Sequence, residues 1–392
     1  MTRPPLSSVG ILPIGALGAA FYYHLSQGCT RNQERIQFIE RRGSTHQSAI
    51  AARGILTIAS QGVSHTIETA KACRPDLVAC GLGGWIPDVV LVVTQPDQLL
   101  PVISDYVQLL EVLYESHGLE RGLELLPILV MSSNGIYHER VRRFMVELLE
   151  ESMLYGRLPD LWNDSMGIVV GKLLRGVTVQ TGYREGDGPT AIFHAGLSAR
   201  TTIAGGSPSV RRACTDMLVE LGGWFEASMT DPPVRVEFDK AMVNLWCNLL
   251  GQLKAIDDSG QFRLLKVREI LNDTESPELR ELSGHLFSIG RAVRAYRPDE
   301  DFNALHLSTF RVAISCGDHY PSSLKWLETQ IQSRTLRPQL TPTEKWLVDP
   351  LVHYAKTAGL EAAADYFVSL RQRIEAKLAT VIAKGGRVNL GL

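Results

Sequence analysis

Four short, almost uniformly apolar runs punctuate the first half of the chain, at residues 9–12, 36–40, 89–94 and 128–131. Runs of this length without polar alternation mark strands covered on both faces, as in a parallel sheet. Stretches of helical patterning lie between them, from about Ala16 to Gln27 and over 47–53. Strands alternating with helices from the first residues predict a doubly wound α/β domain. Residues 190–194 and 201–204 read as further short strands, followed by a helix over 209–221 and a strand over 224–228. After Asp231-Pro232-Pro233 every segment reads as helix: 236–256, 276–296, 305–315, 321–333, 342–358 and 360–384. A Pro-Pro break before a purely helical half predicts a domain boundary, giving an α/β domain over 1–231 and an all-helical domain over 232–392.

The helix predicted over 236–256 (VEFDKAMVNLWCNLLGQLKAI) carries an anomaly. Lys240, Asn244 and Asn248 stand four residues apart in an otherwise apolar sequence. Residues at that spacing share nearly one helical face. A buried amide without a partner costs about 1–3 kcal/mol, so either other side chains satisfy this stripe or a ligand does.

Composition narrows the function classes. A formal charge of −2 gives no field to attract nucleic acid or an acidic membrane. The six cysteines are scattered, with no CxxC pair, which predicts reduced thiols in a cytoplasmic setting and no disulfide frame. No HExxH or His/carboxylate cluster suggests a metal site. Arg3 followed by the apolar stretch 9–23 has the outline of a secretory signal, but Pro13, Gly15 and Gly18 interrupt it, and it continues into Tyr22, Tyr23 and His24. No run reaches the length of a membrane span.

The first strand–turn–helix unit points to a dinucleotide. A Rossmann fingerprint places GxGxxG between strand and helix, with the pyrophosphate on the helix N-terminus. Here Gly15-Ala16-Leu17-Gly18 supplies the second and third glycines, and Pro13 stands where the first would be. Gly15 would let the phosphates approach and Gly18 would let the helix pack closely. At the end of the second strand Glu40 precedes Arg41 and Arg42. An acid there suits the ribose of NAD, whereas arginines suit the 2′-phosphate of NADP, so NADP is preferred over NAD. A tight turn in a non-binding domain and a solvated arginine pair are the alternatives.

Taken together, these segments resemble the ketopantoate (2-dehydropantoate 2-) reductases over nearly the whole chain. GILPIGALGAAF is similar to the opening of that family, AIAARGILTI to the segment after its second strand, and DVVLVVTQ to its fourth strand. SSNG, ending at Asn134 and Gly135, is similar to its asparagine-glycine pair. Lys240, Asn244 and Asn248 match its KxxxNxxxN helix, and Ser322-Ser323 with Thr343-Glu344 its serine and downstream glutamate. The resemblance implies hydride transfer from NADPH to the keto group of a 2-oxo acid, most directly 2-dehydropantoate to pantoate. Lys240 would be the general acid. Asn244, Asn248 and Ser323 would bind the substrate's carboxylate and hydroxyl. Glu344 would accept from that hydroxyl and help orient Lys240. Asn134 would lie at the nicotinamide and ribose end.

The chain also departs from that family. Pro13 replaces a glycine, and Gln95 stands where a lysine is usual, at the cofactor. Extra material lies around 104–126, 145–175 and 325–340; the second includes 154–162, whose aromatic residues would cover the site or form a subunit contact in a homodimer. The third lengthens the separation between Ser323 and Glu344. A related 2-hydroxy-acid or opine-type dehydrogenase, or a catalytically silent NADP-binding relative, is the alternative. Glu344 alone also reads as a first-turn acid stabilising a helix N-terminus.

Overall fold

The computed structural model describes residues 6–26, 32–157, 162–186 and 188–385. The chain divides into two compact units, one of residues 1–134 and 138–233, the other of residues 135–137 and 234–392.

The first unit is built on an eight-stranded sheet. In chain order its parts are β1 (Val9–Leu12), α1 (Ala16–Ser26), β2 (Ile36–Ile39), α2 (Thr45–Arg53), β3 (Ile55–Ser60), β4 (Val63–Glu68), β5 (Cys73–Arg74) and β6 (Val89–Val92). There follow α3 (Leu99–His117), β7 (Ile128–Met131), α4 (His138–Glu151), β8 (Leu173–Thr178), β9 (Gly182–Glu185), β10 (Ile192–Ala195), β11 (Thr201–Gly205), α5 (Pro208–Glu220) and β12 (Phe225–Ala227). The large sheet runs β12-β11-β8-β7-β6-β1-β2-β5 and is parallel except between β8 and β11. From β5 to β8 this is the doubly wound order of dinucleotide-binding sheets, with the reversal of winding at β1 and β6. The continuous apolar runs behave as their composition requires: every residue of β1, β2, β6 and β7 is buried.

Four strands form a second sheet, β4-β3-β10-β9. Its β3–β4 hairpin turns at Gln61-Gly62, both with positive φ (50° and 81°). Such a two-residue turn matches the twist of the strands it joins. The hairpin and β9 have no counterpart in the elements expected from the sequence. The segment 104–126 is the body of α3 and a short helix, Leu119–Leu125; 145–175 holds the end of α4 and the start of β8, a central strand. Of the aromatic stretch 154–162, residues 158–161 lie outside the described residues.

The second unit is helical: α6 (Pro233–Asn244), a π-helical segment (Leu245–Leu250), α7 (Gly251–Ala255), α8 (Pro277–Ala292), α9 (Phe302–Ile314), α10 (Ser322–Gln332), α11 (Pro342–Thr357) and α12 (Glu361–Ala383). The single helix expected over 236–256 is thus present and contains a wider π turn at Leu245–Leu250. Phe238, Leu245, Trp246 and Leu249 are fully buried in the core of this unit. Each contributes about 1.5–3 kcal/mol on burial, enough together to outweigh a polar stripe of the cost given above. No described helix is long and apolar enough to cross a membrane.

Candidate functional site

In the first unit the expected cofactor residues all follow the C-terminal ends of parallel strands. Leu12 pairs with Val92 and Val92 with Met131, so the turns beginning at Pro13, Val93 and Ser132 leave one edge of the sheet, where open α/β sheets bind ligands. Gly15 precedes α1 and its carbonyl accepts the Ala19 N–H at 2.8 Å. An α-helix leaves its first N–H groups without internal acceptors, and in α1 these belong to the turn carrying Ala16, Leu17 and Gly18. A Cβ built on Gly15 meets nothing within 4 Å, whereas one on Gly18 strikes the Pro13 carbonyl and presses Ile11 and Val93 at 3.2 and 3.3 Å. One glycine keeps space open and the other permits close packing. These are the two properties a bound pyrophosphate requires of such a turn.

At the end of β2 the two arginines differ. Arg42 Nη1 pairs with Asp105 at 3.3 Å and donates to Gln108 at 2.9 Å, both on α3. The Arg41 guanidinium has no hydrogen bond or ion pair among the described residues, while its backbone N–H donates to buried Gln47. Gln95 is exposed after β6 and Asn134 partly exposed after β7, and neither side chain has a hydrogen bond among the described residues.

The loop after β7 is fixed by Arg175, a residue whose role nothing in the sequence signals. Its buried guanidinium donates to the carbonyls of Met131 and Gly176, at 2.7 Å each, and of Ser133 at 2.9 Å. Ser133 Oγ donates to the Thr94 carbonyl, tying the loops after β6 and β7 together. His138 is buried at the start of α4; burial and then the Arg175 charge push its imidazole down to about 4, against the pull of Glu139 and a Leu173 backbone bond. The folded chain keeps this imidazole neutral where the unfolded chain protonates, near pH 6.5. Its stability contribution is therefore fully present above that pH and is lost as pH falls towards about 4, by up to ~3 kcal/mol. We expect the urea midpoint to drop between pH 7 and 5, and His138→Gln to remove that part of the drop. An unchanged slope in the variant would place the acid sensitivity elsewhere.

In the second unit the polar stripe is assembled on one continuous helix. Lys240 lies on α6 and Asn244 closes it; Asn248 falls within the π segment. The i→i+5 bonding of a π turn winds more slowly than an α-helix, which brings residues four apart closer to one face. The helix is held by its other faces. Arg235 donates to Asp239 at 2.8 Å and Glu300 at 2.6 Å and stacks on Tyr296 at 4.8 Å. Trp246 Nε1 donates to Ser283 on α8 at 3.1 Å. Glu237, one turn before Lys240, accepts the Tyr137 N–H at 3.1 Å, while Ile136 N–H donates to the Trp346 carbonyl at 2.9 Å. Gly135 (φ 130°) leaves only 3.1 Å between a built Cβ and Trp346, so that contact requires glycine.

The stripe contains two kinds of position. The Lys240 ammonium and the Asn244 carboxamide make no hydrogen bond or ion pair among the described residues, although Lys240 is half-buried and Asn244 only 8% exposed. Burial holds the Lys240 ammonium below the ordinary lysine range; the Cys247 and Cys316 sulfurs oppose this. Burial also pushes the Cys247 thiol up to about 12, so it offers no counter-charge at neutral pH. Farther along, positions are paired: Asn248 Oδ1 accepts from Ser323 Oγ at 3.0 Å, and Gln252 Nε2 donates to Glu344 Oε1. Ser323 and Glu344 thus reach successive turns of the same helix despite the long segment between them.

Glu344 is nearly inaccessible, 3% exposed, and caps α11: its Oε2 accepts the Thr341 N–H at 2.9 Å and its own N–H donates to Thr341 Oγ1 at 3.3 Å. The helix-terminus alternative is realised in this capping box, and no bond joins Glu344 to Lys240. Gln252 was not among the expected site residues. Its signal was present, since 240, 244, 248 and 252 continue one spacing.

No protein-family model matches the chain, and no curated protein matches it in sequence. Solved structures do match in fold. A D-mandelate dehydrogenase in ternary complex with NADH and anilino(oxo)acetate superposes with a TM-score of 0.62 at 17% identity, covering 95% of this chain and 99% of that chain. A PanE/ApbA family ketopantoate reductase from Ralstonia eutropha gives 0.58 at 15%, covering 95% and 99%. The 2-dehydropantoate 2-reductase of Geobacter metallireducens gives 0.57 at 16%, covering 94% and 99%. The chain has the fold of the ketopantoate reductases and of D-mandelate dehydrogenase.

Proposed function

We propose that the chain reduces a 2-oxo acid to the corresponding 2-hydroxy acid with NADPH, 2-dehydropantoate to pantoate being the first candidate. The observation that carries this reading is Lys240: a half-buried lysine whose ammonium makes no hydrogen bond or ion pair among the described residues, one turn from Asn244, whose carboxamide makes none among them either. Groups partly withdrawn from water gain from a partner, and a carboxylate or carbonyl ligand satisfies both. Gly15, Ala16, Leu17 and Gly18 hold the pyrophosphate, Arg41 the 2′-phosphate, and Gln95 and Asn134 the nicotinamide–ribose end. NADPH, when bound, supplies the hydride that reaches the carbonyl carbon.

Lys240 Nζ gives one proton to the carbonyl oxygen and is left as the neutral amine. Its lowered proton affinity makes that transfer easier, and its charge opposes the negative charge that builds on oxygen. Asn244, Asn248 and Ser323 hold the carboxylate and any hydroxyl of the substrate. The engagement of Glu344 by Thr341 and Gln252 favours a second reading, a related 2-hydroxy-acid dehydrogenase whose substrate carries no hydroxyl for Glu344 to accept.

The test is loss of NADPH absorbance with 2-dehydropantoate and with branched 2-oxo acids lacking the hydroxyl. Consumption with the first alone supports pantoate formation, and consumption with the others supports the second reading. Binding of NADPH without turnover of any 2-oxo acid would identify a silent relative. For the cofactor, Arg41→Ala should weaken NADPH binding about 10–100-fold, the value of a charge-assisted bond, and leave NADH binding unchanged. Arg42→Ala should do little, because Arg42 is already paired. The reverse pattern in fluorescence titrations would exchange their roles.

A further inference from the structure

Gln252 offers chemistry that the expected site residues leave unused. It is 4% exposed, lies on the stripe of Lys240, Asn244 and Asn248, and its amide Nε2 reaches Glu344 Oε1. The other bonds to Glu344 come from Thr341, and no ionised side chain is among the influences on its titration. A carboxylate so deeply buried is destabilised by lost hydration, which holds Glu344 above the usual carboxylate range; the N–H and O–H groups of Thr341 and the Gln252 amide act in the opposite direction. Thr341 belongs to the local cap, as it would in any such helix start. Gln252 comes from another helix, so among the described residues it is the one that ties Glu344 to the stripe.

We propose that Gln252 is a positioning residue that fixes the Glu344 carboxylate as a hydrogen-bond acceptor at the end of the polar stripe. The inference rests on the reductase reading for its effect on turnover, but not for its effect on Glu344. With the donor removed, Glu344 takes up a proton at higher pH and becomes a donor, reversing its polarity towards any ligand group. Leucine approximates glutamine in volume, and Gln252→Glu provides a second variant in which two adjacent carboxyls share a proton.

Two readouts separate the possibilities. Infrared titration of the carboxyl band without substrate, assigned with Glu344→Gln, should show Glu344 protonating about one pH unit or more higher in Gln252→Leu, and higher again in Gln252→Glu. The acid limb of kcat/KM should move by the same amount in the single variants, and Gln252→Leu should leave the profile unmoved in a Glu344→Gln background. A Glu344 band that titrates identically in wild type and both variants overturns the proposal. If the band moves while wild type turns over no 2-oxo acid, the reductase reading fails and the positioning of Glu344 stands.

Discussion

Lys240→Met is expected to lower turnover with NADPH and a 2-oxo acid by at least about 10²–10⁴-fold, the usual contribution of a positioned general acid, while raising the melting temperature by a few degrees. The two effects have one origin. In the folded chain the ammonium is half-buried, has no hydrogen bond or ion pair among the described residues, and is held below its ordinary range by burial. Methionine fills similar volume without a charge to desolvate, which stabilises by about 1–2 kcal/mol and, in a unit of this size, raises Tm by about 2–8 °C. The wild-type cost follows pH in a definite direction. Because folding lowers the proton affinity of Lys240, the penalty is full below the folded value and relaxes as pH rises through it towards that of free lysine. The stability difference between the variant and wild type should therefore shrink as pH rises towards the ordinary lysine range. A lysine kept only for solvation would give neither result: its replacement would leave turnover intact and Tm unchanged or lower. Cofactor binding, measured separately, should survive, because Gly15, Gly18 and Arg41 belong to the other unit.

That such a lysine could be found from sequence follows from how its surroundings are written. Apolar runs such as VGIL and ILVM, bounded by turn residues and spaced between helical stretches, suit a covered parallel strand, and the structure places them so. The stripe was legible because four-residue spacing in an apolar helix is rarely accidental. What stayed hidden has a physical reason in each case. The π turn at Leu245–Leu250 leaves no compositional mark, since it differs from an α-helix by one hydrogen-bond step. Arg175 reads as an ordinary charge inside a strand, and only the fold brings the carbonyls of Met131 and Ser133 to it. The Gln61-Gly62 hairpin turn is visible in principle, but β4 is mostly exposed and lacks the apolar alternation that draws attention to a strand. Arg41 and Arg42 are indistinguishable as neighbours in sequence; Asp105 and Gln108, more than sixty residues away, engage Arg42 and leave the Arg41 guanidinium without a hydrogen bond or ion pair among the described residues.

The glycine turn yields the other large expected effect, and its two glycines should fail differently. Gly15→Val should weaken NADPH binding about 100-fold or more, ~3 kcal/mol, without changing Tm, because a side chain at Gly15 enters space that no protein atom occupies within 4 Å. If that space is where the pyrophosphate sits, the substitution removes the ligand and nothing else. Gly18→Ala should behave in the opposite way. Its Cβ strikes the Pro13 carbonyl and crowds Ile11 and Val93, so it strains the packing of α1 on β1 and β6 at a cost of about 1–3 kcal/mol, or about 2–10 °C in Tm. Its loss of affinity should be secondary, recovering at temperatures well below the new Tm. Pro13 makes this comparison informative, since it occupies the place where a dinucleotide turn ordinarily has its first glycine. Calorimetric titration with NADPH and thermal melts of the two variants decide the matter. Wild-type affinity in Gly15→Val would mean that the turn only packs a helix, and NADPH binding would then have to be sought away from this edge of the sheet.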